Sequence, residues 1–283
     1  MIRVFVEGPI AGCITLEEQL KIAHKLSHCE VVPNIDERAL PLRTLGTAGA
    51  RYIRGLIDSG KHDLIGFGHG RTLAMAADYL PSVDAKGTKF VSLLGGLTRK
   101  FAASPFDVIH KLAERTGAEA YVMPVPFFAN TKRDREILET QVGVSDVIAM
   151  ARHATIYLAG IGQVDPKSYL ATGGMVDAKD VAELHDKKAA AELLGHFFME
   201  DGTYLPTSVT DRALAPSHDV LKTKFIVALA GGTAKIRAIR ALLLSGLLSG
   251  LITDEATAKR LVKEIPEREP GSGKANARGN QVA

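Results

Sequence analysis

Three things are scarce in this chain, and each scarcity excludes a class of protein. Only Cys13 and Cys29 are cysteines among the 283 residues, too few for a disulfide framework and in keeping with a reducing cytoplasm. The 35 basic and 32 acidic residues leave a formal net charge of +3, so the chain has no broad positive field suited to nucleic acid. The longest apolar stretch, residues 241–252, is shorter than the roughly 20 residues that span a bilayer. We therefore expect a cytoplasmic protein outside the membrane.

Glycine, in contrast, is plentiful, and it follows four apolar runs that open onto helix-like segments. These runs with their turns are residues 63–72, 90–96, 155–162 and 225–235. Because the carboxyl ends of parallel strands share one edge of a sheet, we expect the four turns to converge on one crevice with free N–H groups and positive helix ends. With 46% hydrophobic residues, the chain can bury the core of one large α/β domain. The sequence therefore predicts a mostly parallel α/β sheet that binds a small phosphorylated or otherwise anionic ligand.

The turn Gly68-His-Gly-Arg-Thr72 suits a single phosphate better than a dinucleotide. A dinucleotide turn needs a third glycine where Leu73 stands, and an acid about 20 residues later for the ribose, so NAD binding is not expected. Arg71 and Thr72 would begin the following helix, where a guanidinium and a hydroxyl can donate hydrogen bonds to a phosphate. The alternative is a plain turn between a strand and a helix, shaped by Gly68 and Gly70, with Arg71 in solvent.

The turn Gly231-Gly-Thr-Ala-Lys235 differs from a nucleotide-binding loop. Ile236 follows the lysine where that loop has serine or threonine, so ATP is not supported and no cofactor is expected. A lysine in the first turn of a helix opposes the helix dipole unless an anion lies between them, which makes Lys235 a candidate ligand contact beside Gly231 and Gly232. The alternative is a lysine on a solvated helix face.

Glu192 is a lone acid in an apolar run. Such an acid is rarely buried without a partner, so it either faces solvent or accepts hydrogen bonds from ligand hydroxyls. The glycines Gly95, Gly96, Gly160 and Gly162 either let the backbone approach a ligand closely or only satisfy turn geometry. No spacing of His, Cys and Asp predicts a metal site, and no nucleophile elbow is present. We therefore assign no metal ligand and no catalytic residue.

Local patterns predict further elements. Residues 2–6 are expected to form a strand, and Thr15 with Glu18 makes a capping-box pattern for a helix through about Leu26. A helix start is expected at 104–107, where proline occupies the first turn. The segment 236–251 reads as a helix that is apolar nearly all round, either central to the core or buried against another subunit. Residues 266–283 have no aromatic and no periodicity, so we expect a disordered tail after a domain of residues 1–265.

Several ordered motifs together resemble the sugar-binding effector domain of SorC-family bacterial transcriptional regulators. They are Gly68-x-Gly-Arg-Thr72, Leu94-Gly-Gly96, Met123-Pro-Val-Pro126, Gly160-Ile-Gly162, Gly195-x-Phe-Phe-x-x-Asp-Gly202, Ala230-Gly-Gly-x-x-Lys235-x-x-Ala-Ile239 and Leu251-Ile-Thr-Asp-Glu-x-x-Ala258. The resemblance covers about residues 10 to 263, and it implies a Rossmann-like, doubly wound α/β fold of the NagB/RpiA/CoA-transferase type. The opening Val6-Glu-Gly-Pro-Ile-Ala11 is similar to the erythritol-operon repressors of this family.

The resemblance also implies a function and roles for particular residues. Arg71 and Thr72 match the phosphate-holding turn, Lys235 matches the lysine after the glycine pair, and Glu192 matches the acid that reads sugar hydroxyls. Leu94 stands where some members have arginine, which disfavours a bisphosphate. A sensor of a small phosphorylated sugar or polyol is thus implied.

For the whole protein, the resemblance implies a homodimer or homotetramer. It also implies that DNA is bound only through a helix-turn-helix that precedes this domain in the family and is absent from this chain. The alternative is a sugar-phosphate isomerase or deaminase on the same fold, with Lys235 able to form a Schiff base.

Overall fold

The computed structural model describes residues 9–34, 41–85, 87–97, 108–165 and 168–265. The strand expected at 2–6, the helix start expected at 104–107 and the tail expected at 266–283 lie outside these ranges. Within them, no helix is long and apolar enough to cross a membrane.

The described residues form two sheets. Their strands are β1 His28–Val32, β2 Leu64–Phe67, β3 Lys89–Leu97, β4 Ala120–Pro126, β5 Ile156–Ala159, β6 Gly162–Gln163, β7 Ala191–Leu193, β8 His196–Phe198, β9 Tyr204–Leu205, β10 Phe225–Leu229 and β11 Gly250–Asp254. The larger sheet has seven strands in the order β1-β11-β10-β5-β2-β3-β4, and every neighbouring pair is parallel. The four apolar runs predicted from the sequence are thus β10, β5, β2 and β3, which lie side by side in its centre.

Helices cover both faces of the larger sheet. They are α1 Pro9–His24, α2 Leu42–Ser59, α3 Arg71–Tyr79, α4 Ile109–Thr116, α5 Lys132–Glu139, α6 Val144–His153, α7 Tyr169–Thr172, α8 Ala178–Asp186, α9 His218–Leu221, α10 Ile236–Ser245 and α11 Glu255–Lys263. One apolar core joins the sheet to α1, α6, α10 and α11, and the other joins it to α2, α3 and α4. Because both faces of the sheet are buried, its strands are almost continuously apolar. The predicted doubly wound α/β fold is confirmed.

Two predicted helices have other bounds. Thr15 does not cap α1, since the helix begins at Pro9 and the Thr15 hydroxyl donates to the carbonyl of Ala11, as interior threonines do. The predicted helix 236–251 ends at Ser245, where Gly246 adopts a left-handed conformation (φ 73°), and the residues from Gly250 onward form β11. Because a short apolar run fits a buried strand as well as a helix, periodicity did not separate the two.

The smaller sheet is antiparallel, in the order β6-β7-β8-β9. Strands β7 and β8 are joined by Leu194 (φ 50°) and Gly195 (φ 79°), a two-residue turn with positive φ at both positions. A positive φ strains the backbone of a leucine, so the packing around Leu194 has to compensate for this strain. The hairpin places Glu192 and Leu194 beside the carboxyl ends of the central parallel strands.

Candidate ligand-binding site

A cavity lies at the carboxyl ends of β10, β5 and β2, under the β7–β8 hairpin. Its polar side chains are His69, Arg71, Thr72, Gln163, Ser168, Glu192 and Lys235. Its apolar side chains are Leu94, Phe127, Ile161, Leu170, Met175 and Leu194. An apolar wall with a few converging charged groups is the usual composition of a site that orients a small polar ligand.

The N-terminus of α3 forms one end of this cavity. Gly70 precedes the helix with φ 130° and ψ 162°, a conformation that side chains rarely adopt. Ala74 donates the first helical hydrogen bond to the Gly70 carbonyl (2.9 Å), so the N–H groups of the first turn lie outside the helical ladder. Arg71 is exposed, while Thr72 is only 4% exposed. The positive helix end and the guanidinium therefore meet at the cavity, as anion binding requires.

Lys235 enters the cavity from the end of β10. It is the last residue of a 3₁₀ turn, Thr233–Lys235, that leads into α10, and its Nζ donates to the carbonyl of Ile161 (2.6 Å). Burial, together with the nearby charge of Arg71, lowers the pKa of Lys235 to about 8, against the opposing effect of the Glu192 carboxylate. The ammonium ion is thus incompletely stabilised, and an anion between Lys235 and Arg71 would stabilise it.

Glu192 is buried against the cavity, with 9% of its surface exposed. Its Oε1 accepts a hydrogen bond from the N–H of Gly195 (2.7 Å). Burial raises the pKa of Glu192 to about 7, against the opposing effects of that hydrogen bond and of Lys235. Gly162 lies opposite Glu192 in the β6–β7 pair, and a Cβ on this glycine would overlap Oε2 of the carboxylate. Gly162 therefore makes room for the acid, which at neutral pH can both accept and donate a hydrogen bond.

The structure brings together seven of the twelve residues that were predicted from the sequence to bind the ligand. The seven that line the cavity are Gly70, Arg71, Thr72, Gly160, Gly162, Glu192 and Lys235. The five that lie outside its lining are Gly68, Gly95, Gly96, Gly231 and Gly232.

Two of these five glycines, Gly68 and Gly95, have close packing neighbours that account for them. A Cβ on Gly68 would lie 2.9 Å from Cδ2 of Leu194, so Gly68 lies behind the cavity wall. Gly95 and Gly96 are part of β3, and a Cβ on Gly95 would overlap the carbonyl of Pro126 in β4. Gly95 therefore allows β3 and β4 to approach each other closely.

Sequence reasoning missed several lining residues. Gln163 ends the two-residue strand β6 and Ser168 lies in the irregular stretch after it, and no periodic pattern marks either residue. His69 lies inside the first glycine turn but has no motif role. Within the described ranges, no group of three or more His, Cys, Asp and Glu residues could hold a metal ion.

The fold and the cavity define a domain with a small-ligand pocket that has Arg71, Lys235 and Glu192 in its lining. The family described as "Putative sugar-binding domain" matches residues 8–263, and the chain belongs to this family. It is 51% identical over 261 residues to the erythritol catabolism regulatory protein EryD of Brucella abortus (strain 2308), covering 92% of this chain and 83% of that protein. It is 26% identical to the transcriptional regulator LsrR of Klebsiella pneumoniae, covering 93% and 80%.

Solved structures agree on the fold. The full-length sorbitol operon regulator SorC of Klebsiella pneumoniae has a TM-score of 0.79 at 21% identity, covering 92% of this chain and 84% of that one. A domain of a possible sugar-binding transcriptional regulator from Arthrobacter aurescens TC1 has a TM-score of 0.79 at 25% identity, covering 92% and 100%. The resemblance to SorC-family regulators is confirmed, and the relatives are named as transcriptional regulators rather than as enzymes.

Proposed function

We propose that this chain is the effector-sensing domain of a cytoplasmic transcriptional regulator of polyol or carbohydrate catabolism. Its effector is a small monophosphorylated polyol or sugar, and binding changes the affinity of the whole regulator for operator DNA by population shift. The observation that carries the proposal is the convergence of Arg71, Thr72, Lys235 and Glu192 on one cavity. The 51% identity to a protein named for erythritol catabolism favours a four-carbon polyol.

The phosphate would lie between the N-terminus of α3 and Lys235. There the guanidinium of Arg71 and the ammonium of Lys235 would neutralise a dianion, and the Thr72 hydroxyl would donate a further hydrogen bond. Leu94 adds an apolar wall to the cavity rather than a further cation, which supports a monophosphate over a bisphosphate.

The polyol chain would extend toward Glu192. A buried carboxyl with a pKa of about 7 can accept a hydrogen bond from one hydroxyl and donate one to another. Gln163 and Ser168 offer further polar groups at the same cavity. This end of the site would therefore distinguish polyols by the arrangement of their hydroxyls.

Assembly and DNA contact belong to the whole regulator. We infer a homodimer or homotetramer from the family alone, because the apolar residues Ala238, Ile239 and Leu242 of α10 are buried within this chain and give no independent support. Light scattering at micromolar concentration would show a monomer if this inference is wrong.

Binding assays with three probes test the proposed effector. We expect erythritol 4-phosphate to bind at least about 10- to 150-fold more tightly than free erythritol, since even one charge-assisted hydrogen bond contributes about 1.5–3 kcal/mol. Inorganic phosphate should bind weakly but measurably. Isothermal titration calorimetry and thermal shift would measure the affinities of all three probes. Equal affinity for the free polyol and the ester would overturn the anion site, and turnover of the ester followed by NMR would favour the enzyme alternative.

The change Glu192→Gln is expected to alter which polyol is preferred. Glutamine keeps an acceptor for the Gly195 N–H but loses the carboxyl's second acceptor and its proton, so the hydroxyl pattern is read differently. The ratio of affinities for erythritol 4-phosphate and threitol 4-phosphate should change on the order of 10-fold. The ratio of ester to free polyol should stay close to wild type. The matched control is Glu200→Gln at an exposed glutamate, and an unchanged stereoisomer ratio would remove Glu192 from the site.

A further inference from the structure

A buried carboxylate lies just beyond the end of β10, close to the turn that carries Lys235. Strands β10 and β11 pair with Leu229 opposite Ile252, so β11 extends two residues further and brings Asp254 alongside the glycine turn. Asp254 is 2% exposed and is the N-cap of α11, where its Oδ1 accepts from the N–H of Thr257 (3.0 Å).

The second oxygen of this carboxylate holds the turn. Oδ2 of Asp254 accepts from the N–H of Gly232 (2.7 Å) and from the Thr257 hydroxyl (2.6 Å). The Thr257 oxygen also accepts from the Gly232 N–H (2.9 Å), and Thr257 is 0% exposed. The N–H that a glycine turn would present to an anion is therefore already shared between two side chains.

Both glycines of the turn fit this arrangement. A Cβ on Gly231 would overlap Oδ2 of Asp254 and would lie 2.9 Å from Cδ1 of Leu45. Gly232 has φ 92° and ψ 144°, in the left-handed half of conformational space. The Asp254 carboxylate thus explains why residue 231 is a glycine, and the positive φ explains why residue 232 is one. Neither glycine lines the cavity.

Gly232 joins this pair of side chains to the lysine. Its N–H is bonded to Asp254 and Thr257, while its carbonyl accepts from the N–H of Lys235 (2.9 Å). The Lys235 ammonium then donates to the carbonyl of Ile161, which also lines the cavity. Gly232 is therefore hydrogen-bonded both to the buried Asp254 carboxylate and to the backbone of Lys235.

We propose that Asp254 and Thr257 are positioning residues that hold the Gly231–Lys235 turn so that the Lys235 ammonium points into the cavity. The identity of the ligand in this proposal rests on the proposed function, whereas the hydrogen bonds that position Lys235 are independent of it. Neither side chain lines the cavity, so both act through Gly232. A buried hydrogen-bond network can fix a side chain in this way because its members have few alternative partners.

Substitutions at Thr257 separate positioning from packing. Thr257→Val keeps the shape and removes the hydroxyl, while Thr257→Ser keeps the hydroxyl and removes a buried methyl group. We expect the dissociation constant for erythritol 4-phosphate to rise about 10-fold in Thr257→Val and to stay near wild type in Thr257→Ser. Both variants should lower thermal stability. The control is Thr116→Val, which removes another buried hydroxyl, bonded to Leu112 far from the cavity.

Two further measurements decide the outcome. In a Lys235→Met background, Thr257→Val should have no additional effect on affinity, and an equal loss there would overturn the proposal. The pKa of Lys235, followed by ¹³C NMR titration without ligand, should rise toward that of an exposed lysine in Thr257→Val and stay unchanged in Thr116→Val. An unchanged pKa would refute the positioning role even if the ester binds. Failure of wild type to prefer the ester would refute the proposed function alone.

Discussion

Replacing Arg71 or Lys235 by alanine is expected to weaken the binding of erythritol 4-phosphate by about 10- to 150-fold each. Both cations would contact the same phosphate, and each charge-assisted hydrogen bond contributes about 1.5–3 kcal/mol. Lys235 should show the larger loss because it is buried, whereas Arg71 is exposed and its contribution is screened by salt. Binding of free erythritol should change little in either variant.

The double variant provides the sharper result. Because the two side chains act on one group, we expect their combined loss to be smaller than the sum of the single losses in free energy. Arg237→Ala is the matched control, since this arginine lies on α10 close to Lys235 but is exposed and paired with Glu200. Titration calorimetry at two ionic strengths measures the affinity of wild type, the two single variants, the double variant and the control. Full additivity, or unchanged affinity in Lys235→Ala, would mean that the two cations do not share a phosphate.

The change Lys235→Met is expected to stabilise the ligand-free protein at neutral pH while weakening its response to the phosphate ester. Methionine has a similar length and volume but no charge, so the desolvation that lowers the pKa of Lys235 disappears. The gain should be about 1–3 kcal/mol, which corresponds to roughly 2–8 °C in melting temperature for a domain of this size. A binding residue that destabilises the empty site in this way is a common exchange of stability for function.

The pH dependence identifies the cause. The pKa of Lys235 falls from 10.5 to about 8 on folding, so the destabilisation is complete below pH 8 and absent above pH 10.5. The advantage of Lys235→Met should therefore be full at pH 6 and shrink as the pH rises through 8. The pKa of Glu192 changes in the opposite direction, from 4.5 to about 7, so its contribution to stability is present below pH 4.5 and is lost as the pH rises through 7. Glu192→Gln should accordingly become more stabilising as the pH rises from 4.5 to 7, and reach its full effect above pH 7.

Thermal denaturation from pH 5 to pH 10 measures these curves. The matched control is Lys222→Met, because Lys222 is exposed and paired with Asp219, so its removal should leave the curve unchanged. If Lys235→Met is less stable than wild type at every pH, the lysine is a structural residue rather than a destabilised ligand contact. Addition of erythritol 4-phosphate should raise the melting temperature of wild type and of Lys222→Met more than that of Lys235→Met.

The sequence by itself determined the parallel α/β class and the charged residues of the site. Buried parallel strands have to be apolar along their whole length, and the turns after them need glycine, so four such runs are visible without a structure. Arg71, Thr72 and Lys235 were found because each follows one of these turns at a helix start. Glu192 was found because an acid in an apolar run requires an explanation.

Only the tertiary structure decided what the glycines do. Gly70 and Gly162 line the cavity, whereas Gly95 packs against β4 and Gly232 is bonded to Asp254. A glycine has the same local signal in each case, since only its neighbour in space distinguishes a close approach to a ligand from a close approach to another strand. The same limit applies to residues 247–252, whose apolar pattern fits a helix or a buried strand until the partner strands are known. The second sheet, with Gln163 and the Glu192 hairpin, is defined by contacts between segments far apart in the chain, and a local pattern carries no information about these contacts.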